Sequence, residues 1–351
     1  MPAFTNEHVD VNLTNISVAY TNDEYVAGRV FGVVPVPKIS DKYFIYNKRA
    51  FLSSSGTDPQ GKPNSIRRPG TRAATITYDL SSNSFYAEQL ARNYMLTDAE
   101  IQIADTPLMP MADATEVVTD TILIDNELAV AAIAMKRSYY PTANKIQLVT
   151  GTTSWAVNTL TGGNYTSFPI TSDIPNSKSA VVLGMQKAPT HFLCNYTTSQ
   201  VLQANWQYKE YIKYTSRDGL TAGGLVPVLL GLQTIETMAQ YTTSADNPTV
   251  TWAGSYIWVD DQGENAALVY YGKAATGLKQ ASFGATFEAP DASLHTRGFV
   301  VKVWREEWLD SEFIEARTTR AWQFIATDGS TNGLNSNGLA TGGALISGCT
   351  L

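Results

Sequence analysis

Residues 48–78 read KRAFLSSSGTDPQGKPNSIRRPGTRAATITY. Between Ser53 and Gly70 the only large apolar side chain is Ile66. The rest is Ser, Gly, Pro, Asn, Gln, Thr and charge, so this stretch has nothing of its own to pack on. Its flanks differ. In KYFIYNKRAF, Tyr43, Ile45 and Asn47 alternate with Phe44, Tyr46 and Lys48. In AATITYDL, Thr75, Thr77 and Asp79 alternate with Ile76, Tyr78 and Leu80. Period two with aromatic and β-branched residues predicts two strands. Residues 41–80 therefore read as a hairpin with a long loop, and loops of this length are functional or mobile. Seven basic residues lie in it (Lys42, Lys48, Arg49, Lys62, Arg67, Arg68, Arg72) against three acids (Asp41, Asp58, Asp79).

The chain as a whole has the opposite sign. Its 351 residues hold 25 Lys and Arg against 32 Asp and Glu, a formal charge of -7. Such a balance argues against a protein that coats nucleic acid over its whole surface, while leaving local basic patches open. The length predicts two or more lobes, and 44% hydrophobic residues suffice for a sizeable core. Two cysteines, Cys194 and Cys349, make no disulfide framework and suit a reducing compartment. The opening MPAFTNEHVD lacks the basic and apolar regions of a signal peptide. No apolar run approaches the ~18 residues of a membrane span, so no membrane partner is expected.

Residues 1–40 are thin in core material. Pro35 and Pro37 force an extended path, and one short helix is expected near Asn22 to Gly28. Thr106-Pro107 reads as a cap followed by proline at the first helical position. From Met111 to Arg137 there is no Gly or Pro, and Val117, Ile124, Leu128, Ala131 and Met135 form one helical stripe. A helix of about 30 residues, roughly 45 Å long, is predicted as the backbone of the architecture, ending at Tyr140-Pro141. Residues 142–178 are loop-rich. From Ala180 to about Tyr271 an α/β stretch follows, with strands at HFLCN, LVPVLLGLQTI, SYIWVDD and ALVYYG and a helix at TTSQVLQANWQY. The strands GFVVKVW and EFIEARTTRAWQFIA come next, then a Gly-, Asn- and Thr-rich tail.

No catalytic constellation emerges. His8, His191 and His295 form no metal-binding pair. Cys194 reads as a buried strand residue and Cys349 as an exposed tail residue. Gly162-Gly163, Gly223-Gly224 and Gly342-Gly343 read as turns, because none has the strand-to-helix context of a phosphate loop. The adjacent acids Asp260-Asp261 and Glu306-Glu307 would point to opposite faces of a strand, which is unsuited to a paired-carboxylate hydrolase. The aromatic and basic residues of WQYKEYIKY suit a helix with its aromatics packed inward. No enzyme activity, metal or cofactor is expected.

A second charge pattern complements the first. Asp98, Glu100, Asp105, Asp113, Glu116, Asp120, Asp125 and Glu127 follow one another without a single Lys or Arg. In isolation they read as a solvated helix face with acids near its N-terminus. Beside the basic hairpin they suggest more. If the hairpin lay on the acidic helix of an identical neighbour, the contact would be head-to-tail, which generates rings and shells. Complementary charge would fix its register. Lys62, Arg67, Arg68 and Arg72 are the candidate cations, and Asp113, Glu116 and Asp120 the candidate acids.

The order of these parts resembles the major capsid proteins of tailed bacteriophages, which have the Hong Kong 97-type shell fold. VNLTNISVAYTNDEYVAGRVFGVVPVPKISDKYFIYNKRAF resembles that family's N-terminal arm entering its extended loop. RRPGTRAATITYDLSSNSFYAEQLARNYMLTDAEIQIAD resembles the return strand and the approach to the long spine helix. Trp155 and EFIEARTTRAWQFIATDG resemble further recurring pieces, so the likeness runs from about Asn12 to Gly329. It implies an α+β fold divided into an N-terminal arm (1–40), an extended loop (41–80), a peripheral domain with the spine helix (81–178), an axial domain (179–271) and a C-terminal peripheral part (272–351). It implies that the loop crosses the adjacent subunit's peripheral domain, and that hexamers and pentamers of the chain enclose double-stranded DNA by non-specific contact. A portal is an implied partner, as are separate scaffolding or decoration proteins. The scaffolding segment found ahead of the arm in many relatives has no counterpart here. The location implied is the virion, assembled in the host bacterial cytoplasm. In some relatives a loop lysine is cross-linked to a neighbour, and Lys62 is the candidate here. An encapsulin-type nanocompartment shares the fold and is the alternative. A cytosolic hydrolase, the third reading, lacks its constellation.

Overall fold

In the computed structural model the described residues are 8–20, 22, 24–45, 69–72, 82–104, 109–149, 153–156, 167–215, 225–241, 254–273, 282–291, 298–328 and 338–350. The first half of the chain forms α1 (Val11–Ala19), α2 (Ala27–Val30), α3 (Asp98–Ile103) and α4 (Pro110–Ala134). Its strands are β1 (His8–Val9), β2 (Phe31–Pro35), β3 (Ser40–Phe44), β4 (Ser82–Tyr86), β5 (Glu88–Thr97) and β6 (Lys145–Gln147). Then come α5 (Ile174–Met185), β7 (His191–Asn195), α6 (Tyr196–Ala204) and α7 (Trp206–Thr215). The remaining strands are β8 (Val228–Leu229), β9 (Leu232–Thr237), β10 (Gln240–Tyr241), β11 (Ser255–Tyr256), β12 (Ala266–Tyr270), β13 (Gly284–Ala289), β14 (Val300–Glu306), β15 (Ser311–Phe324) and β16 (Gly343–Ser347).

The long helix α4 spans 25 residues, about 37 Å at ~1.5 Å per residue. Its first proline is Pro110, after Met109, and it ends at Ala134, short of the expected Tyr140-Pro141. The expected cap at Thr106-Pro107 lies outside the described residues. The helix lies on the sheet built around β15. One edge of β15 pairs with β5, and the other pairs with β14 and then β13. The buried face runs through Ala114, Val118, Ile122, Val130 and Ala134, four or eight residues apart. Val117, expected in the stripe, is exposed instead. Trp322 Nε1 of β15 donates to Asn126 Oδ1 at 2.9 Å and ties sheet to helix.

The N-terminal arm is more structured than its composition suggests. Instead of one helix near Asn22 to Gly28 it forms α1, capped by Asp10, and α2. Chain then runs into β2, which pairs in parallel with β13. Phe31 is fully buried, edge-on to Phe283 and Phe324. A Cβ on Gly284 would sit inside the Phe31 ring. Gly284→Ala should displace that ring and cost about 2 kcal/mol in a denaturant titration, the usual cost of overpacking; an unchanged midpoint would contradict the packing.

The second sheet has the order β6-β16-β12-β7-β9-β8. Successive residues of β12 are buried on opposite faces. Ala266, Leu268 and Tyr270 meet the C-terminal half of α4, while Ala267 and Val269 meet Trp155, Ile174, Tyr208 and Ile212. Burial on both sides explains the continuous apolar run there. In α7, Tyr208 and Ile212 are buried and Trp206 and Tyr211 half-buried.

Two expectations are corrected here, at Gly342-Gly343 and at Cys349. Strands β6 and β16, from outside 179–271, both join the second sheet. Strand β16 covers an edge of β12 that would otherwise present unpaired backbone groups. Gly342-Gly343 is no turn; Gly343 begins β16, against Phe283. Cys349 is fully buried, its amide bound to the Asn265 carbonyl at 3.0 Å, and burial pushes its thiol pKa well up.

Candidate assembly interface

The hairpin is rooted firmly in its own subunit. Strands β3 and β4 pair antiparallel, from Ser40 opposite Tyr86 to Phe44 opposite Ser82. Tyr43 and Phe85 pack on Phe287 of β13, with Phe85 stacked at 4.5 Å. Beyond this root, Lys62, Arg67 and Arg68 lie outside the described residues. Arg72 is exposed, and no carboxylate of the described residues pairs with it.

The structure sorts the acids of the 98–127 stretch. Asp98 pairs with Arg305 of β14 through two contacts at 2.9 and 2.7 Å, which hold its carboxyl below the usual range. Glu100 closes a capping box with Thr97. Asp125 takes Arg92 at 2.9 Å. Asp120 accepts from Tyr20 at 3.2 Å, Tyr25 at 3.0 Å and Asn22 at 3.3 Å, so it fastens the N-terminal arm of its own chain. Glu127 is fully buried and accepts from the backbone amides of Val26 (2.9 Å) and Ala27 (2.8 Å) and from Trp258 Nε1 (2.6 Å). Burial raises its pKa despite these three donors. Asp105 lies outside the described residues. Only Asp113 and Glu116 remain: both are exposed, and neither has an ion-pair partner among the described residues.

Asp113 borders an apolar groove. It holds about 430 Å³ and is lined by Tyr94, Leu96, Ile103, Pro110 and Val117, with Glu100 and Asp113 at its rim. Ile103 is 78% exposed, neighbouring Met109 69% and Val117 55%. Clustered large apolar side chains in water mark a contact surface. Sequence reasoning counted Val117 as core because periodicity registers an apolar residue without showing which body covers it. Of the candidate acids, then, Asp113 and Glu116 are free to meet a partner, whereas Asp120 is occupied.

Asp260, Cys194 and Trp155 have structural employment. Asp260 is buried and takes Arg137 Nε at 2.9 Å, and the same guanidinium reaches Glu264, joining the segment after α4 to the segment before β12. Cys194 is buried in β7 and burial pushes its thiol up. Trp155 is buried, with Nε1 donating to Asp173 at 2.8 Å. Among the described residues no three His, Cys, Asp or Glu side chains group as metal ligands. No described helix is long and apolar enough to cross a membrane.

No protein-family model matches the sequence. The chain is 25% identical over 288 residues to the major capsid protein of Pseudomonas phage JBD67, covering 79% of this chain and 82% of that one. It is 25% identical over 251 residues to the major capsid protein of Burkholderia phage BcepMu, covering 71% and 75%. Among solved structures it resembles a phage-related protein of Bordetella bronchiseptica RB50, with a TM-score of 0.66, 17% identity and 97% of each chain covered. The capsid of cyanophage P-SCSP1u superposes with a TM-score of 0.57 at 12% identity, over 94% of this chain and 89% of that one. The SrpI encapsulin of Synechococcus elongatus PCC 7942 superposes with a TM-score of 0.52 at 10% identity, over 97% and 95%. The chain thus has the mixed helix-and-sheet, Hong Kong 97-type shell fold that its sequence led us to expect, and it resembles phage major capsid proteins.

Proposed function

We propose that the chain is a major capsid protein, a structural subunit that assembles with copies of itself into the head of a tailed bacteriophage. The observation that carries this reading is the likeness to two phage major capsid proteins over most of the chain, joined to a shell fold spanning nearly all of it. The role is structural rather than catalytic, and the working residues are those of subunit contacts.

Each subunit's basic hairpin crosses the next subunit at the groove between β5, α3 and α4. There Lys62, Arg67, Arg68 and Arg72 face Asp113 and Glu116. The contact is head-to-tail and closes into pentamers and hexamers. Residues 1–40 act as the arm, 41–80 as the extended loop, and α4 as the spine of a peripheral domain. The second sheet, with β6 and β16 added to 179–271, forms the axial domain. A portal, separate scaffolding or decoration proteins, and double-stranded DNA are the further partners, and assembly takes place in the host cytoplasm.

The encapsulin neighbour supports a second reading, a shell around protein cargo. The contents of purified particles separate the two. Nuclease-protected double-stranded DNA is the expected result; a co-purifying cargo enzyme without nucleic acid would overturn the capsid reading.

A further inference from the structure

A polar pocket of about 360 Å³ lies where the N-terminal arm meets the second sheet. Gly28 and Arg29 of α2, His191 of β7, Gln233 of β9, and Gly272 and Lys273 just after β12 line it. Three basic side chains thus converge from segments distant in sequence, and no acid is among the lining residues. Among the described residues no carboxylate lies within ion-pair distance of Arg29 or Lys273. The charge they bring to the pocket is therefore not neutralised by an ion pair among the described residues.

The floor of the pocket is fixed. The His191 ring stacks on Tyr270 at 5.2 Å, and its Nδ1 shares a hydrogen bond with Thr190 Oγ1 at 2.6 Å. The same hydroxyl accepts the Gly272 amide at 2.9 Å. A Cβ on Gly272 would overlap the imidazole, so the close approach of this backbone to His191 requires glycine. Burial, with Arg29 adding to it, lowers the His191 pKa. Near neutral pH the ring therefore offers a hydrogen-bonding group rather than a charge. Arg29 and Lys273 are exposed and supply the charge at the rim. A rigid polar floor beneath two cations suits a compact oxyanion, and a guanidinium paired with an ammonium suits phosphate.

We propose that this pocket binds a phosphate group, supplied in the particle by the backbone of the enclosed nucleic acid. The source of the phosphate rests on the capsid reading; the phosphate chemistry of the pocket does not. The test uses the full chain at high dilution, with duplex DNA binding followed by fluorescence anisotropy as salt is varied. Arg29→Gln with Lys273→Gln should weaken binding about eightfold at ~0.1 M salt and lower the salt slope by about 1, the loss of one phosphate contact. Lys42→Gln with Lys145→Gln removes the same charge at exposed positions outside the pocket, and should change binding less than about twofold. Equal losses in the two pairs would overturn the site in favour of general electrostatics. Binding of inorganic phosphate that the pocket variant abolishes, with duplex binding unchanged, would overturn the nucleic-acid source. Loss of particles in the pocket variant with duplex binding intact would also overturn it, by making the pocket a subunit contact. Particle formation is scored in the same samples, so failure of the site and failure of the capsid reading are distinguishable.

Discussion

Replacing Asp113 and Glu116 together by lysine is expected to abolish shell assembly while leaving the subunit folded. Both side chains are exposed and neither has a cationic partner among the described residues, so the substitution breaks nothing seen within the chain. Its effect falls on the neighbour. Two lysines would face the basic loop carrying Lys62, Arg67, Arg68 and Arg72, and like-charge juxtaposition at an interface costs several kcal/mol. Every subunit of a shell repeats the contact, so a penalty of that size at each one stops growth. Adding Arg67→Glu and Arg68→Glu should restore assembly in part. Sedimentation reads both results. Full-sized particles from the lysine variant alone would rule out this pairing. Asp120→Asn should behave differently, because its three donors come from its own N-terminal arm.

Glu127→Ala is expected to lower the stability of the subunit by about 4 kcal/mol. The carboxylate takes two backbone amides from the start of α2 and the indole N–H of Trp258. Two segments far apart in the chain, at Val26–Ala27 and Trp258, are held at this one point on α4. Truncation leaves all three buried donors without an acceptor, at ~1–3 kcal/mol each before relaxation. Glu127→Gln keeps one carbonyl oxygen and should lose roughly half as much. A denaturant titration reads both, and a loss below about 1 kcal/mol for the alanine variant would show that the arm is held elsewhere.

Much of this fold is legible in the sequence, for identifiable reasons. Strands β14 and β15 are long and rich in β-branched and aromatic residues, and a run without Gly or Pro marks α4. What stays hidden needs information from elsewhere in the fold. Helix α1 buries only Leu13 and Ser17, the latter through its hydroxyl bond to Thr119 at 2.8 Å, so it shows no apolar stripe. Strand β16 sits in a Gly-rich tail that reads as loop, yet Ala344, Leu345 and Ile346 are buried because β12 needs an edge partner. For the candidate interface the sequence shows charge but not availability. A basic loop followed by an acidic run shows in the composition. That Asp120 is spent on Tyr20, Asn22 and Tyr25 while Asp113 and Glu116 stand free is a fact of tertiary structure. The exposure of Val117 likewise inverts a periodicity that reads as core.

Electron microscopy of the chain, purified and also drawn from lysate of infected host cells, tests the central claim most directly. The account predicts closed shells whose wall repeats this chain in rings of five and six. Monomers or dimers from both sources, with no shell containing the chain, would contradict it.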